Sequence, residues 1–449
     1  MGADTDRECG EIMRHRFIKT CAVVGALAGL AGAVQWMPAP AGAPRIDPPR
    51  HANALSRRLI PQRLARQLAG PADLRTVAFY SRALASVTHI HVLLPDDYAS
   101  TTRRYPVLYL LAGHLGSYLQ WGVNSDVVHF ARRLPLIVVM PDGEESWYAN
   151  PIGANKPRWE DYHIGELIPY IDSHYRTVGD RGGRAIAGPS MGGLGAFVYA
   201  ARHPDLFVAA ASFSGFLNLI DLQAPYWQGQ YPSTSSVFGD PRTYGWSWQG
   251  HDPVELASNL RGLRLYLASG NGHPDPHERR IRPADSRESY CHASLNDMGA
   301  ALVRNGIPAT VDYYGLGIHT WPHFTRDLHH AMPLFLDAFA HPPAQPTPWS
   351  YHTTDDRFSV WGYQGIRTGG GPGWTYLDNV SAAGFSAAGT GLLALQTASL
   401  YHPGTSYAID VDGVRQPHAA QADPAGRLIL LITLTGPGAP HNLTIAPSR

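Results

Sequence analysis

The chain reads as a doubly covered α/β sheet followed by a small all-β sandwich domain, and three observations predict this. Between residues 74 and 340, continuous apolar runs of strand length alternate with segments of helical spacing, the pattern of a mostly parallel sheet covered by helices on both faces. A stretch with four prolines, residues 341–348, follows and cannot continue a helix. Beyond it, residues 350–449 change to short alternating strands separated by Gly, Pro and Asp turns.

The elements follow in order. Arg14, Arg16 and Lys19 precede an uncharged apolar stretch over 20–37 that ends in Ala39-Pro40-Ala41-Gly42-Ala43. This reads as a secretory signal peptide over 1–43, with cleavage preferred to a membrane anchor because the stretch is rich in Gly and Ala. Secretion or attachment to the cell envelope is therefore expected, with no transmembrane span after cleavage. Residues 44–340 form the catalytic domain. Its strands are predicted at 87–94, 107–111, 136–140, 185–187, 208–213, 263–268 and 310–314, and its helices at 162–174, 193–203, 290–305 and 324–339. The linker spans 341–349. Of the three cysteines, Cys9 and Cys21 fall in or before the leader, so Cys291 alone remains and no internal disulfide is expected. Lys+Arg and Asp+Glu both number 36 and the arginines are scattered, so nothing points to a nucleic-acid partner.

Chemistry enters at Gly188-Pro189-Ser190-Met191-Gly192, between the apolar run 185–187 and a small-residue helical pattern. A G-x-S-x-G at a strand-to-helix turn holds its serine in a cramped conformation with Oγ pointing out of the sheet. Ser190 is thus the expected nucleophile of an acyl hydrolase or acyltransferase. The base is expected at His319, in Gly317-Ile318-His319-Thr320-Trp321, where a loop after the last strand carries an imidazole over the carboxyl edge of the sheet. His323, His329 and His330 read as surface or packing residues of the following helix.

Ser190, the 317–321 segment, Trp159-Glu160 and Ser269-Gly270-Asn271-Gly272 together resemble the esterase D and antigen 85 mycolyltransferase family of α/β-hydrolases. The likeness covers residues 74–340 and excludes the C-terminal domain. It implies an α/β-hydrolase fold and serine chemistry without cofactor or metal. It also implies a triad glutamate well past the Gly-Asn-Gly turn, just before the helix that precedes the last strand, and counting through Pro283-Ala284 reaches Glu288. Asp275 is the rival acid, directly after the strand ending near 269, although its place between Pro274 and Pro276 also suits a turn. The oxyanion donors are expected to be backbone N–H groups: Met191, the residue after the nucleophile, and His114, the residue after Gly113 in the family pattern.

Departures guide the substrate. Where antigen 85 proteins carry an aspartate and an arginine that contact trehalose, this chain has Ala112 and Leu115, which argues against trehalose as acceptor. Hydrolysis of a carboxylic ester is the first reading. Transfer of a long acyl chain to an envelope sugar or glycolipid is the alternative, and a non-catalytic envelope-binding protein is a third reading, disfavoured because every triad and oxyanion position is filled. The polar loop His273-Pro274-Asp275-Pro276-His277-Glu278 lacks metal-ligand spacing, and Asp410-Val411-Asp412-Gly413 reads as a hairpin turn. Trp349, Tyr351, Trp361, Tyr363, Trp374 and Tyr376 read as packing of the C-terminal domain before stacking on a cell-envelope polysaccharide.

Overall fold

A computed structural model describes residues 73–275 and 283–448. The leader and its two cysteines lie outside the described residues. The chain divides into two compact units, one comprising Leu68–Asp355 with Pro372–Ser381 and the other containing Asp356–Gly371 and Ala382–Arg449.

The first unit is built on strands β1 (Leu74–Ser81), β2 (Ser86–Leu93), β3 (Val107–Leu110), β4 (Ile137–Pro141), β5 (Arg184–Pro189), β6 (Ala209–Phe213), β7 (Arg264–Ser269) and β8 (Thr310–Tyr313). They lie in the order β1-β2-β4-β3-β5-β6-β7-β8. All pairs from β4 to β8 are parallel, and β1 and β2 form an antiparallel edge. This is the mostly parallel sheet of an α/β-hydrolase. Every residue of β3 to β6 is buried, because successive side chains feed two different cores. Val107, Tyr109, Ile137 and Val139 join the core that holds Phe197 and Met298. Leu108, Leu110, Val138 and Met140 face the other, with Leu328 and Phe335. The half-exposed β1 carries no such run, so the apolar pattern does not reveal it.

Four helices matter for the site: α1 (Ile168–His174), α2 (Met191–Arg202), α3 (Ser286–Arg304) and α4 (Trp321–Ala340). All twelve residues of α2 are buried, which explains its Gly- and Ala-rich sequence: a helix pressed against the sheet has room only for small side chains on its inner face. Helix α3 begins at Ser286, capped by the Asp285 side chain on Arg287 N, so Glu288 stands inside its first turn and not ahead of the helix.

The strand β9 (Trp349–Thr353) pairs antiparallel with β12 (Thr375–Ser381), and both fall in the first unit. The division between units thus lies beyond the proline-rich stretch. In the second unit β10 (Arg357–Val360), β11 (Tyr363–Thr368), β13 (Gly384–Gln396), β14 (Ser406–Val411), β15 (Val414–Arg415) and β17 (Ile429–Pro447) make an antiparallel sheet in the order β10-β11-β13-β17-β14-β15, with β16 (Ala420–Gln421) also on β14. Asp412 and Gly413, both at positive φ, close the two-residue turn between β14 and β15. Trp349, Tyr351 and Tyr363 are buried and serve packing.

Candidate active site

The register brings the carboxyl ends of the central strands level, with Pro189 opposite Phe213 and Phe213 opposite Ala268. Ser190, Ser214, Gly270 and the loop to His319 all leave the sheet at this edge, where open α/β sheets hold their ligands.

Ser190 is the turn between β5 and α2. Its backbone sits at φ 56°, ψ −124° and its hydroxyl does not cap the helix it precedes, although serine is a favoured cap residue. The strained backbone aims Oγ away from the helix amides. Glycine is required on both sides: a Cβ on Gly188 would lie 2.6 Å from the carbonyl carbon of Gly192, and one on Gly192 would lie 2.6 Å from Ala112 O. The physical reason for the G-x-S-x-G spacing is therefore this contact between strand end, helix start and the neighbouring 112–116 loop.

Glu288 and His319 meet in the buried layer beneath. His319 Nδ1 lies 2.8 Å from Glu288 Oε2, and a carboxylate only accepts, so Nδ1 carries the proton and Nε2 keeps its lone pair. The other carboxylate oxygen accepts from Ser214 Oγ at 2.7 Å and from Gly270 N at 2.7 Å. Glu288 is wholly buried, and these neutral donors make its burial tolerable. It is Glu288 that occupies the position beside Nδ1. Asp275 is the last described residue before the 276–282 segment. Ser214, another positive-φ residue, was not singled out by sequence reasoning; its only signal is a Ser-Gly pair directly after a strand.

Cys291, one turn along α3, places its buried Sγ 4.0 Å from His319 Nδ1. Burial, with the Glu288 charge beside it, pushes the thiol well above its ordinary range, so it packs as a neutral group. Glu288, Cys291 and His319 are close enough together to suggest metal ligands. A thiol held protonated and a carboxylate already engaged by three donors make a poor donor set for an ion.

The two expected amides flank the serine. In the 112–116 loop, Gly113 N donates to Gln120 Oε1, Leu115 N to Glu144 O and Gly116 N to Gly113 O, which leaves the His114 N–H uncommitted between them. Met191 N is at the first turn of α2, where helix amides lack internal partners. The His114 ring lies 3.1 Å from Glu145 Oε1 and edge-on to Tyr231. Phe216, 6.1 Å from the His319 ring, leads into Trp227, Tyr231 and Tyr290, giving the site an aromatic flank. Downstream, His329 pairs with Asp126, His330 with Asp312, and His323 stacks on Tyr314, the packing roles expected of them.

Trp159-Glu160 lies elsewhere. Glu160 is buried against Arg202, at 2.8 and 3.1 Å, and His203, at 2.8 Å, at the far end of α2 from Ser190. Arg202 also reaches Asp355 at 2.7 Å.

The Esterase family model matches residues 81–335. Esterase Rv1288 of Mycobacterium tuberculosis (strain ATCC 25618 / H37Rv) is 36% identical over 216 residues, 44% of this chain and 46% of that protein. The chain thus spans about half the length of that curated relative. Diacylglycerol acyltransferase/mycolyltransferase Ag85B of Mycobacterium avium is 29% identical over 51% of this chain and 74% of the relative. Among solved structures, Mycobacterium tuberculosis MPT51 (FbpC1) aligns with a TM-score of 0.48 at 21% identity, covering 60% of this chain and 100% of that one.

Proposed function

The chain belongs to the Esterase family, and from that premise we propose that it is a secreted serine esterase that hydrolyses carboxylic esters through an acyl-enzyme on Ser190. The observation that carries the reading is the Glu288–His319 pair, 2.8 Å apart, set at the same sheet edge as a serine in a left-handed elbow. In this mechanism His319 Nε2 takes the Ser190 proton as Oγ attacks the ester carbonyl. The oxyanion that forms is received by His114 N–H and Met191 N–H, each worth about 3 kcal/mol where such donors have been removed. His319 then gives its proton to the departing alcohol, and water, deprotonated by the same nitrogen, releases the acid. Glu288 holds the tautomer and stabilises the imidazolium.

Transfer to an alcohol acceptor, a sugar or glycolipid of the cell envelope, uses the same acyl-enzyme, and the likeness to Ag85B supports it as the second reading. Secretion rests on the 1–43 leader. No described helix is long and apolar enough to cross a membrane. The test is turnover of p-nitrophenyl acetate and butyrate with and without added alcohol. Hydrolysis that Ser190→Ala abolishes supports the reading, and equal rates in both proteins refute it.

A further inference from the structure

The two amides that receive the oxyanion come from separate segments, Met191 N–H from the elbow and His114 N–H from the 112–116 loop. Their spacing is therefore set by whatever holds the loop against the elbow. The segments meet at the main chain that leads into His114: a Cβ on Gly192 would lie 2.6 Å from Ala112 O and 3.0 Å from Leu111 O. An aromatic side chain takes each of these carbonyls. Leu111 O accepts from Trp121 Nε1 at 2.8 Å, and Ala112 O accepts from Tyr148 OH at 2.7 Å. Trp121 and Tyr148 belong to the cores on opposite faces of the sheet, so the chain is gripped from both sides. A buried carbonyl is costly without a donor, and its position follows the donor it has.

Several features of the fold serve the placement of Tyr148. Its backbone and that of Trp147 hold φ 53° and 48°, a region that non-glycine residues keep only where the surroundings enforce it. The ring crosses α2 at Gly195, where a Cβ would collide with it, and a Cβ on Gly143 would collide with the hydroxyl. The side chain is wholly buried, so a bound ester does not reach it. Burial raises the phenol well above its ordinary range, and the hydroxyl stays a donor at every working pH. Its contact with Ala112 O is made from the core side, behind the loop.

We propose that Tyr148 is a positioning residue for the oxyanion hole: its hydroxyl holds Ala112 O against Gly192 and so sets where the His114 N–H stands relative to the Met191 N–H. The inference rests on the esterase reading and extends it to a residue that substrate never meets. The experiment compares full-length wild type, Tyr148→Phe, Gly143→Ala and Tyr199→Phe. Tyr148→Phe removes only the donor, and Gly143→Ala pushes the hydroxyl aside with the ring retained. Tyr199→Phe is the control, deleting an equally buried hydroxyl that faces His163 Nδ1 at 3.0 Å, away from the loop. Two quantities are read: kcat/KM for p-nitrophenyl butyrate per fluorophosphonate-titrated site, and Ki for propyl trifluoromethyl ketone, which adds to the serine and leaves its alkoxide in the oxyanion hole. Displacing the loop should lower kcat/KM by about 10- to 100-fold in Tyr148→Phe and Gly143→Ala, as small misplacements in an active site do. Ki should rise by the same factor, because the adduct mimics the transition state. A variant that merely unfolds in part loses titrated sites and leaves Ki unchanged. The proposal is overturned if kcat/KM stays within about twofold of wild type, if it falls while Ki does not move, if Tyr199→Phe matches the loss in both, or if neither Tyr148→Phe nor Gly143→Ala folds, which would make Tyr148 a core residue alone. Wild type that neither cleaves the ester nor binds the ketone would instead sink the esterase reading.

Discussion

Glu160 and Glu288 are both buried carboxylates of the α/β unit, and their partners set them apart. Glu160 faces Arg202, a permanent cation, with His203 added. Burial alone would raise its pKa, but Arg202 and His203 outweigh that cost and hold the carboxyl well below its usual range. Such a pair is fixed in charge at every working pH, so it ties the end of α2 in place and does no proton chemistry. Glu288 keeps neutral donors, Ser214 Oγ, Gly270 N–H and, at 3.5 Å, Tyr314 OH, beside the His319 ring. A carboxylate so placed can respond when its histidine gains a proton. The difference teaches that a buried acid is recognised as catalytic by the kind of partner it keeps, since burial is common to both.

The largest effect expected is on the chemistry. His319→Ala should lower kcat/KM for p-nitrophenyl butyrate by about 10⁴-fold or more, as loss of a triad base does. Glu288→Gln should cost about 10² to 10⁴-fold, because the amide offers the wrong partner to Nδ1, while a thermal melt shifts little. Breaking the other carboxylate should invert this pattern. Glu160→Gln leaves Arg202 under-compensated in the interior and should destabilise the fold by about 3–5 kcal/mol, read by urea denaturation, with the folded fraction keeping most of its specific activity. A rate loss in Glu160→Gln as large as that in Glu288→Gln would erase the contrast.

The pH dependence sharpens it further. A carboxyl with a depressed folded pKa contributes stability above the unfolded value, about 4.3 for Glu, that is lost as pH falls. The melting temperature of wild type should therefore drop on acidification below about pH 4 more steeply than that of Glu160→Gln. Asp252 shows the opposite sign. Burial raises it to about 7 despite three backbone donors, so its folded form favours the proton. Its contribution is present at acid pH and is withdrawn between about 4 and 7 as pH rises. Asp252→Asn should flatten the fall in melting temperature over that interval, the smallest of these effects.

Much of this was legible in the sequence because it repeats local rules. The buried runs at 107–111, 136–140 and 208–213 announced central strands, and Gly188 and Gly192 announced a turn whose contacts forbid a Cβ. His319 was placed by its loop after the last strand. The acid was harder, since Glu288 and Asp275 differ in what they reach across space and not in local pattern; the resemblance led to Glu288. What surrounds Glu288 was beyond reach: Ser214, Gly270 and Cys291 are separated by up to 77 residues in the chain and meet only when β6, β7 and α3 end side by side. The same holds for Asp355, whose bond to Arg202 ties residues past the proline-rich stretch to the catalytic unit. A chain cut within the proline-rich stretch, near Ala344, loses this bond and that of Tyr351 OH to Arg202 O.

The most direct test of the account is to treat the protein with a fluorophosphonate and map the adduct by peptide mass spectrometry. Trypsin should release Ala185–Arg202, a peptide in which Ser190 is the sole serine. Stoichiometric modification of this peptide is expected, lost in Ser190→Ala and strongly slowed in His319→Ala. Labelling that falls on another peptide, or that persists unchanged in Ser190→Ala, would contradict it.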